Sequence, residues 1–160
     1  VLEQAVRKCE NVVLRHVGPL IDLPFPMGDR QFEHVDTVPQ ARLAEYYRES
    51  DAFILASREE GLSVVLAQAL ATGLPVICTD RTGGEDLGHT PRLRDRIAVV
   101  SHDRADALTV AIDAMRTRLI ESAGYEALTP ADREALGWRA YAVRYSEALE
   151  RAGGSALLAG

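Results

Sequence analysis

Apolar positions alternate between helical and extended spacing along most of the chain. Leu2, Ala5, Val6 and Cys9 fall at i, i+3, i+4 and i+7, one face of a helix. Val12-Val13-Leu14 follows as a short apolar run, closed by Gly18-Pro19. Residues 19–31, with Pro19, Pro24, Pro26 and Gly28, read as an irregular connection, and Phe32 to Val35 as a second strand. Thr37-Val38-Pro39 opens a helix with proline in its first turn and with Leu43, Tyr46 and Tyr47 on its buried face. Ala52-Phe53-Ile54-Leu55-Ala56 has no polar break, as expected of a central parallel strand covered on both faces. A helix over residues 62–72 buries Leu62, Val65, Leu66 and Ala69 and stops at Gly73. Leu74 to Cys78 and Ile97 to Val100 are the remaining strands.

Two helices close the chain. Asp103 caps one that buries Leu108, Ile112, Met115 and Leu119. Thr129-Pro130-Ala131-Asp132 supplies the other with a capping residue, a first-turn proline and an acid at its positive end. Trp138, Ala142, Tyr145 and Leu149 form its stripe at helical spacing and read as core. From Gly153-Gly154-Ser155 onward the tail is expected to fray, so the domain is assigned to residues 1–150 and the tail to 151–160. Strands alternating with helices predict an α/β fold, a Rossmann-like parallel sheet sandwiched by helices. Ligands of such sheets bind beyond the carboxyl ends of the strands, which directs attention to the loops after residues 56 and 78.

Composition narrows the function classes. The chain has 160 residues, 47% of them hydrophobic, which suits one core. A formal charge of −6 gives no electrostatic grip on nucleic acid. No apolar run approaches the ~20 residues of a membrane-spanning helix. Cys9 and Cys78 form no close pair and read as buried free thiols of a reducing, cytoplasmic protein. The chain starts at Val1 without a leader-like segment and reads as a piece of a longer polypeptide. The four histidines have no metal spacing, and His16 and His34 read as structural residues in or beside strands. No dinucleotide fingerprint, Walker loop or hydrolase elbow occurs, which argues against an oxidoreductase, an ATPase or a hydrolase.

Chemistry concentrates at Glu60-Gly61-Leu62-Ser63. A glycine at a helix mouth lets a ligand approach the backbone, and the N–H groups at Leu62, Ser63 and Val64 are helix-terminal donors in need of an acceptor. A diphosphate would satisfy them. The same residues also fit a simpler role, in which Glu59, Glu60 and Ser63 only cap the helix.

The wider pattern resembles the nucleotide-sugar site of retaining GT-B glycosyltransferases, glycosyltransferase family 4 in particular. Tyr46 to Ser57 is similar to the family's tyrosine helix, acidic turn and strand leading to a serine. Ala69 to Ile77 resembles its alanine-rich helix, Gly-x-Pro turn and strand, and Thr82 to Asp86 its paired-glycine loop. Upstream, His16-Val17-Gly18 and Val35 to Pro39 match the strand-glycine and strand-Val-Pro elements. The resemblance covers roughly residues 10–115 and implies one half of a GT-B fold, with an N-terminal acceptor domain and the first strand of this domain lying outside the chain. It implies Glu60 as the catalytic position, orienting hydroxyls of the donor sugar rather than attacking it. Backbone groups of Gly61, Leu62 and Ser63 would lie near sugar and phosphate, although the family usually has an aromatic residue and a glycine at positions 62 and 63. Val38 would flank the base, and Gly83 and Gly84 the sugar or phosphates. The family's second glutamate, which accepts from the ribose hydroxyls, is Gln68 here. An amide retains one acceptor oxygen and forgoes a charge-assisted bond. The basic residues that usually neutralise the leaving diphosphate precede the chain, and Arg58 and Arg81 are the nearest cations.

The resemblance therefore implies a donor-binding domain that holds a nucleoside-diphosphate sugar for transfer to an acceptor with retention. It implies no metal or cofactor, and an acceptor (sugar, lipid or small molecule) bound by the preceding domain; some members return their final helix to that domain, which would leave the Trp138 stripe exposed here. One alternative is a degenerate GT-B domain acting as a scaffold; another is a different GT-B enzyme, such as a sugar epimerase or a phosphorylase, although a phosphorylase usually needs a cofactor lysine and Lys8 is the one lysine here. Base, sugar, acceptor, membrane association and oligomeric state leave no trace in these residues.

Overall fold

A computed structural model describes residues 1–20, 24–60, 63–121 and 124–157. Helix α1 (Leu2–Val6) precedes strands β1 (Leu14–Val17) and β2 (Phe32–Val35). Helix α2 (Gln40–Arg48), strand β3 (Phe53–Leu55), helix α3 (Val64–Thr72) and strand β4 (Val76–Thr79) follow. A 3-10 turn (Gly84–Leu87) leads to α4 (Pro91–Arg94), β5 (Ile97–Val100) and α5 (Ala105–Glu121). Helices α6 (Pro130–Ala135) and α7 (Trp138–Leu157) end the described chain. No helix among the described residues is long and apolar enough to cross a membrane.

All strand pairing is parallel. β1 pairs β2, with Leu14 opposite Phe32 and His16 opposite His34. β4 lies between β3 and β5, with Phe53 opposite Val76 and Val76 opposite Ile97. All four β4 residues are buried. Their period of two divides them between two cores. Val76 and Cys78 join Leu66, Ala69 and Leu70 of α3, with Leu87 and Leu93. Ile77 points the other way, to Ala5 and Val6 of α1 and Leu108, Ile112 and Met115 of α5. β3 follows the same rule, Phe53 and Leu55 on the first side and Ile54 on the second. The three-stranded sheet is thus covered on both faces by helices, the α/β sandwich that its unbroken apolar strands predict. The second core also takes in Leu14 and Phe32, so β1 and β2 share packing with the larger sheet.

Several local expectations hold in detail. Gly73 adopts the left-handed conformation (φ 97°) that ends α3, and the Leu74 N–H turns back to the Ala69 carbonyl at 3.2 Å. Thr129 and Asp132 form a reciprocal capping box on α6. β1 starts two residues later than the apolar run suggests. Asn11 takes a positive φ of 56°, Val13 is 55% exposed, and pairing begins where the Leu14 N–H meets the Gln31 carbonyl at 2.8 Å. The Gln31 side chain then donates to the Val6 and Cys9 carbonyls, tying the end of α1 to β2.

The C-terminal helix requires a correction. The stretch from Pro130 is two helices, interrupted at Leu136-Gly137. Glycine in a helix interior costs roughly 1 kcal/mol relative to alanine. Here the Leu136 and Gly137 N–H groups close short turns onto Arg133 and Glu134. The α7 stripe is not core: Trp138 is 69% exposed, and Tyr145 and Leu149 are each 55% exposed. The aromatic side chains pack along the helix on one another instead, Trp138 edge-on to Tyr141 and Tyr141 stacked on Tyr145. α7 continues as helix through Gly153 and Gly154 to Leu157.

Arg96, buried at the entrance to β5, holds this end of the sheet together. Its guanidinium donates to the carbonyls of Gly73, Arg92 and Glu126 and lies over the Tyr125 ring. Burial pushes its pKa below the usual guanidinium value.

The capping box sets an acid limit on stability. Asp132 is held down to about 2, first by the Thr90 hydroxyl at 2.6 Å and then by the hydroxyl and N–H of Thr129. A depressed folded-state pKa stabilises fully above the unfolded value near 3.9, and that stability disappears as pH falls through about 2. Urea unfolding midpoints should therefore fall between pH 4.5 and 2, less steeply in Asp132→Asn. Thr129→Ala should cost about 1 kcal/mol at neutral pH.

Candidate functional site

Three loops leave the carboxyl ends of β3, β4 and β5 and are joined by their backbones. The Thr79 hydroxyl donates to the Ser57 carbonyl at 2.5 Å. The Glu60 N–H meets the Arg81 carbonyl at 3.0 Å, and the Ser63 N–H the Thr82 carbonyl at 3.4 Å. The Asp80 N–H meets the Val100 carbonyl at 2.9 Å. Thr82, fully buried, closes its own turn by donating through its hydroxyl to the Thr79 carbonyl at 2.7 Å. Between these loops opens a cleft of about 570 Å³, lined by Arg58, Glu59, Glu60, Asp80, Arg81, Gly83 and His102. A smaller hollow of about 170 Å³ adjoins it, sharing Asp80 and Gly83 and adding Thr79, Gly84, Glu85 and Asp86.

The candidate residues divide into two groups. Glu60 and Gly83 meet in the cleft, with Gly84 in the adjoining hollow. Gly83 takes a left-handed φ of 65°. Gly84 is needed for space, since a Cβ there would lie 2.2 Å from the Cys78 sulfur. Burial pushes that thiol up. Ser63 is buried at the N-cap of α3, but its side chain makes no capping bond. The simpler capping role is thus unfilled by Ser63, and Glu59 and Glu60 are exposed in the cleft. Val38, ahead of α2, and Gln68, mid-way along α3, are not among the residues lining the cleft. Gln68 is half-buried, and its side-chain oxygen accepts from the Tyr47 hydroxyl at 3.5 Å. Gly61 and Leu62 lie outside the described residues.

Arg58 and Arg81 come together in the cleft from separate loops. Asp80 and His102 carry no signal of their own in the sequence. Their positions, one past the end of β4 and two past the end of β5, could have marked them as residues of the ligand-binding edge. His16 and His34 behave as structural residues, stacked across β1 and β2 and packed on Phe25. Burial, and then His34, lowers the His16 pKa. Among the described residues no group of three or more His, Cys, Asp or Glu is placed to hold a metal ion.

The cleft presents guanidinium forks beside carboxylates. Guanidinium groups match phosphate oxygens, and carboxylates accept from hydroxyls. A ligand combining phosphate with a polyhydroxylated ring would meet suitable partners here. A family profile described as glycosyl transferases group 1 matches residues 2–118. The chain belongs to that family. Its parallel sheets flanked by helices form a GT-B glycosyltransferase domain. Over 50 residues the chain is 42% identical to TuaC of Bacillus subtilis (strain 168), a glycosyltransferase named for teichuronic acid biosynthesis. That match covers 31% of this chain and 13% of TuaC. The fold is similar to that of sucrose-phosphate synthase from Thermosynechococcus elongatus, with a TM-score of 0.56 and 22% identity. The likeness extends over 78% of this chain and 31% of the synthase, so the chain spans less than a third of that protein.

The Gly84–Cys78 contact can be tested directly. Gly84→Ala should destabilise the domain by about 1–3 kcal/mol through overpacking. Cys78→Ala/Gly84→Ala should recover much of that loss, because the sulfur is the atom that collides. Thermal unfolding of the two single variants and the double variant measures the coupling.

Proposed function

We propose that this chain is the donor-binding half of a retaining glycosyltransferase, holding a nucleoside-diphosphate sugar while a domain outside the chain supplies the acceptor. The observation that carries the reading is the meeting of Glu60 and Gly83 in one cleft at the carboxyl ends of β3 and β4, in a chain of this family. Glu60 accepts hydrogen bonds from sugar hydroxyls and orients the ring, so that rate derives from position rather than from an enzymic nucleophile on this half. Charge developing on the departing diphosphate is met by guanidinium groups and by the positive N-terminal end of α3. By the family resemblance the backbone at positions 61–63 would meet the sugar and phosphates, with Val38 beside the base; Gly84 shapes the loop that carries Gly83.

Gln68 holds the position of the glutamate that would accept from the ribose hydroxyls, and it is the weaker group for that task. Tyr47 already engages its oxygen, although at 3.5 Å, and the amide nitrogen offers donors where the family's glutamate only accepts. That observation favours the second reading, a domain that keeps the fold and has lost the donor. The reaction proposed for the active form needs no metal or cofactor, and the donor chemistry suits the cytoplasm.

Calorimetric titration with UDP, GDP and ADP, and with a sugar ester of each, separates the two readings. One base should be selected. Glu60→Ala should weaken the sugar nucleotide about ten-fold while leaving the free nucleotide within about two-fold, as expected for a charged acceptor that touches only the sugar. Gln68→Ala should weaken both ligands alike. Silence for every nucleotide in this chain and again in the full-length protein would overturn the donor reading in favour of the scaffold.

A further inference from the structure

Asp80 and His102 lie 22 residues apart in sequence and meet at the rim of the cleft. One carboxylate oxygen, Oδ1 of Asp80, accepts from the His102 backbone N–H at 3.1 Å and lies 3.0 Å from the ring Nδ1. The two contacts fix the start of the loop after β5 and the plane of the imidazole together. With Nδ1–H committed to Asp80, Nε2 is the ring nitrogen left for a ligand. The side chain is 29% exposed and shares the cleft lining with Arg58 and Arg81.

Charge makes the protonation state of that ring matter. With the imidazole neutral, the lining holds two guanidinium groups against the carboxylates of Glu59, Glu60 and Asp80, so an anion enters a cleft with an excess of negative charge. A second proton on the ring lowers that excess and turns Nε2 from an acceptor into a donor. Of the remaining charged neighbours, Glu85 and Asp86 line the adjoining hollow, Asp103 and Arg104 sit on the same loop as His102, and Arg104 is paired with Asp106, so the surroundings stay acidic.

We propose that His102, positioned by Asp80, is a contact to the donor's diphosphate, its Nε2 donating to a phosphate oxygen beside Arg58 and Arg81. The inference rests on the donor-binding reading above and adds to it a residue and a pH dependence. Asp80 is a positioning residue that acts through the imidazole. Binding of the diphosphate and binding of the proton reinforce each other by the same factor.

The test is titration of the full chain with UDP-glucose, GDP-mannose and ADP-glucose between pH 5.5 and 8.5. These diphosphate diesters exchange no proton in that window, whereas a terminal phosphate titrates near pH 6, so the pH slope belongs to the protein. Affinity for the selected donor should rise about five-fold from pH 8.5 to pH 5.5, the size of one partly exposed charge contact. His102→Gln should be flat at the weaker value, and His102→Lys flat at the tighter one. Asp80→Asn should reduce the slope. A slope unchanged in His102→Gln, or the same loss in His102→Gln and His102→Lys, would overturn the role of His102 and leave the donor site standing. Absence of binding to all three donors at every pH, in this chain and in the full-length protein alike, would overturn both readings together.

Discussion

The turn that leaves β4 carries the arrangement of the cleft. Thr79 ends the one strand whose residues are all buried, and its hydroxyl reaches the carbonyl of Ser57 on the loop after β3. Three residues later the Thr82 hydroxyl bends the chain back onto the Thr79 carbonyl, with Thr82 fully excluded from water. The carbonyls of Arg81 and Thr82 are thereby aimed at the N–H groups of Glu60 and Ser63. Buried polar groups are expensive unless paired, so each of these bonds constrains the next. Glu60 therefore stands where it does because β4 ends at Thr79, some twenty residues further along the chain.

The same turn divides the work of two adjacent glycines. Gly83 supplies a left-handed backbone conformation, and Gly84 supplies room for the Cys78 sulfur on the strand beneath. A paired-glycine motif beside a ligand invites the reading that both residues exist to let the ligand in. Here one of them answers to the core. The loop is held down onto β4 by the absence of a side chain, and only then does its outer face become part of a site.

What could be read from the chain was whatever depends on a residue and its near neighbours. The unbroken apolar run at 52–56, the glycine stop at 73 and the capping box at 129–132 are local signals, and each appears in the fold as expected. The cleft at the carboxyl edge followed from topology, and the placement of Glu60 and Gly83 in it followed from the resemblance. The failures share a cause. Helical spacing shows that Trp138, Tyr145 and Leu149 lie on one face, but it cannot say whether anything covers that face; in this chain they lie open, packed on Tyr141 and on one another. Gly137 was too weak a local signal to announce a break against the helical stripe on either side. The Asp80–His102 contact joins two loops through space, and neither residue carries a motif.

Stability and binding rest on different side chains in this domain. The groups that hold the loops together, Ser63, Thr79 and Thr82, are buried behind the cleft, whereas Arg58, Glu59, Glu60, Asp80 and Arg81 line it from exposed positions. Exposed charges contribute little to folding, and their replacement usually shifts stability by less than about 0.5 kcal/mol. A lining residue can therefore be changed with the framework intact, and any loss of ligand reports on the contact itself. Asp80 is the partial exception, because its carboxylate also anchors the His102 backbone. For that reason its role is legible only through the pH dependence of the ring it holds, since a general loosening of the loop would weaken binding at every pH alike.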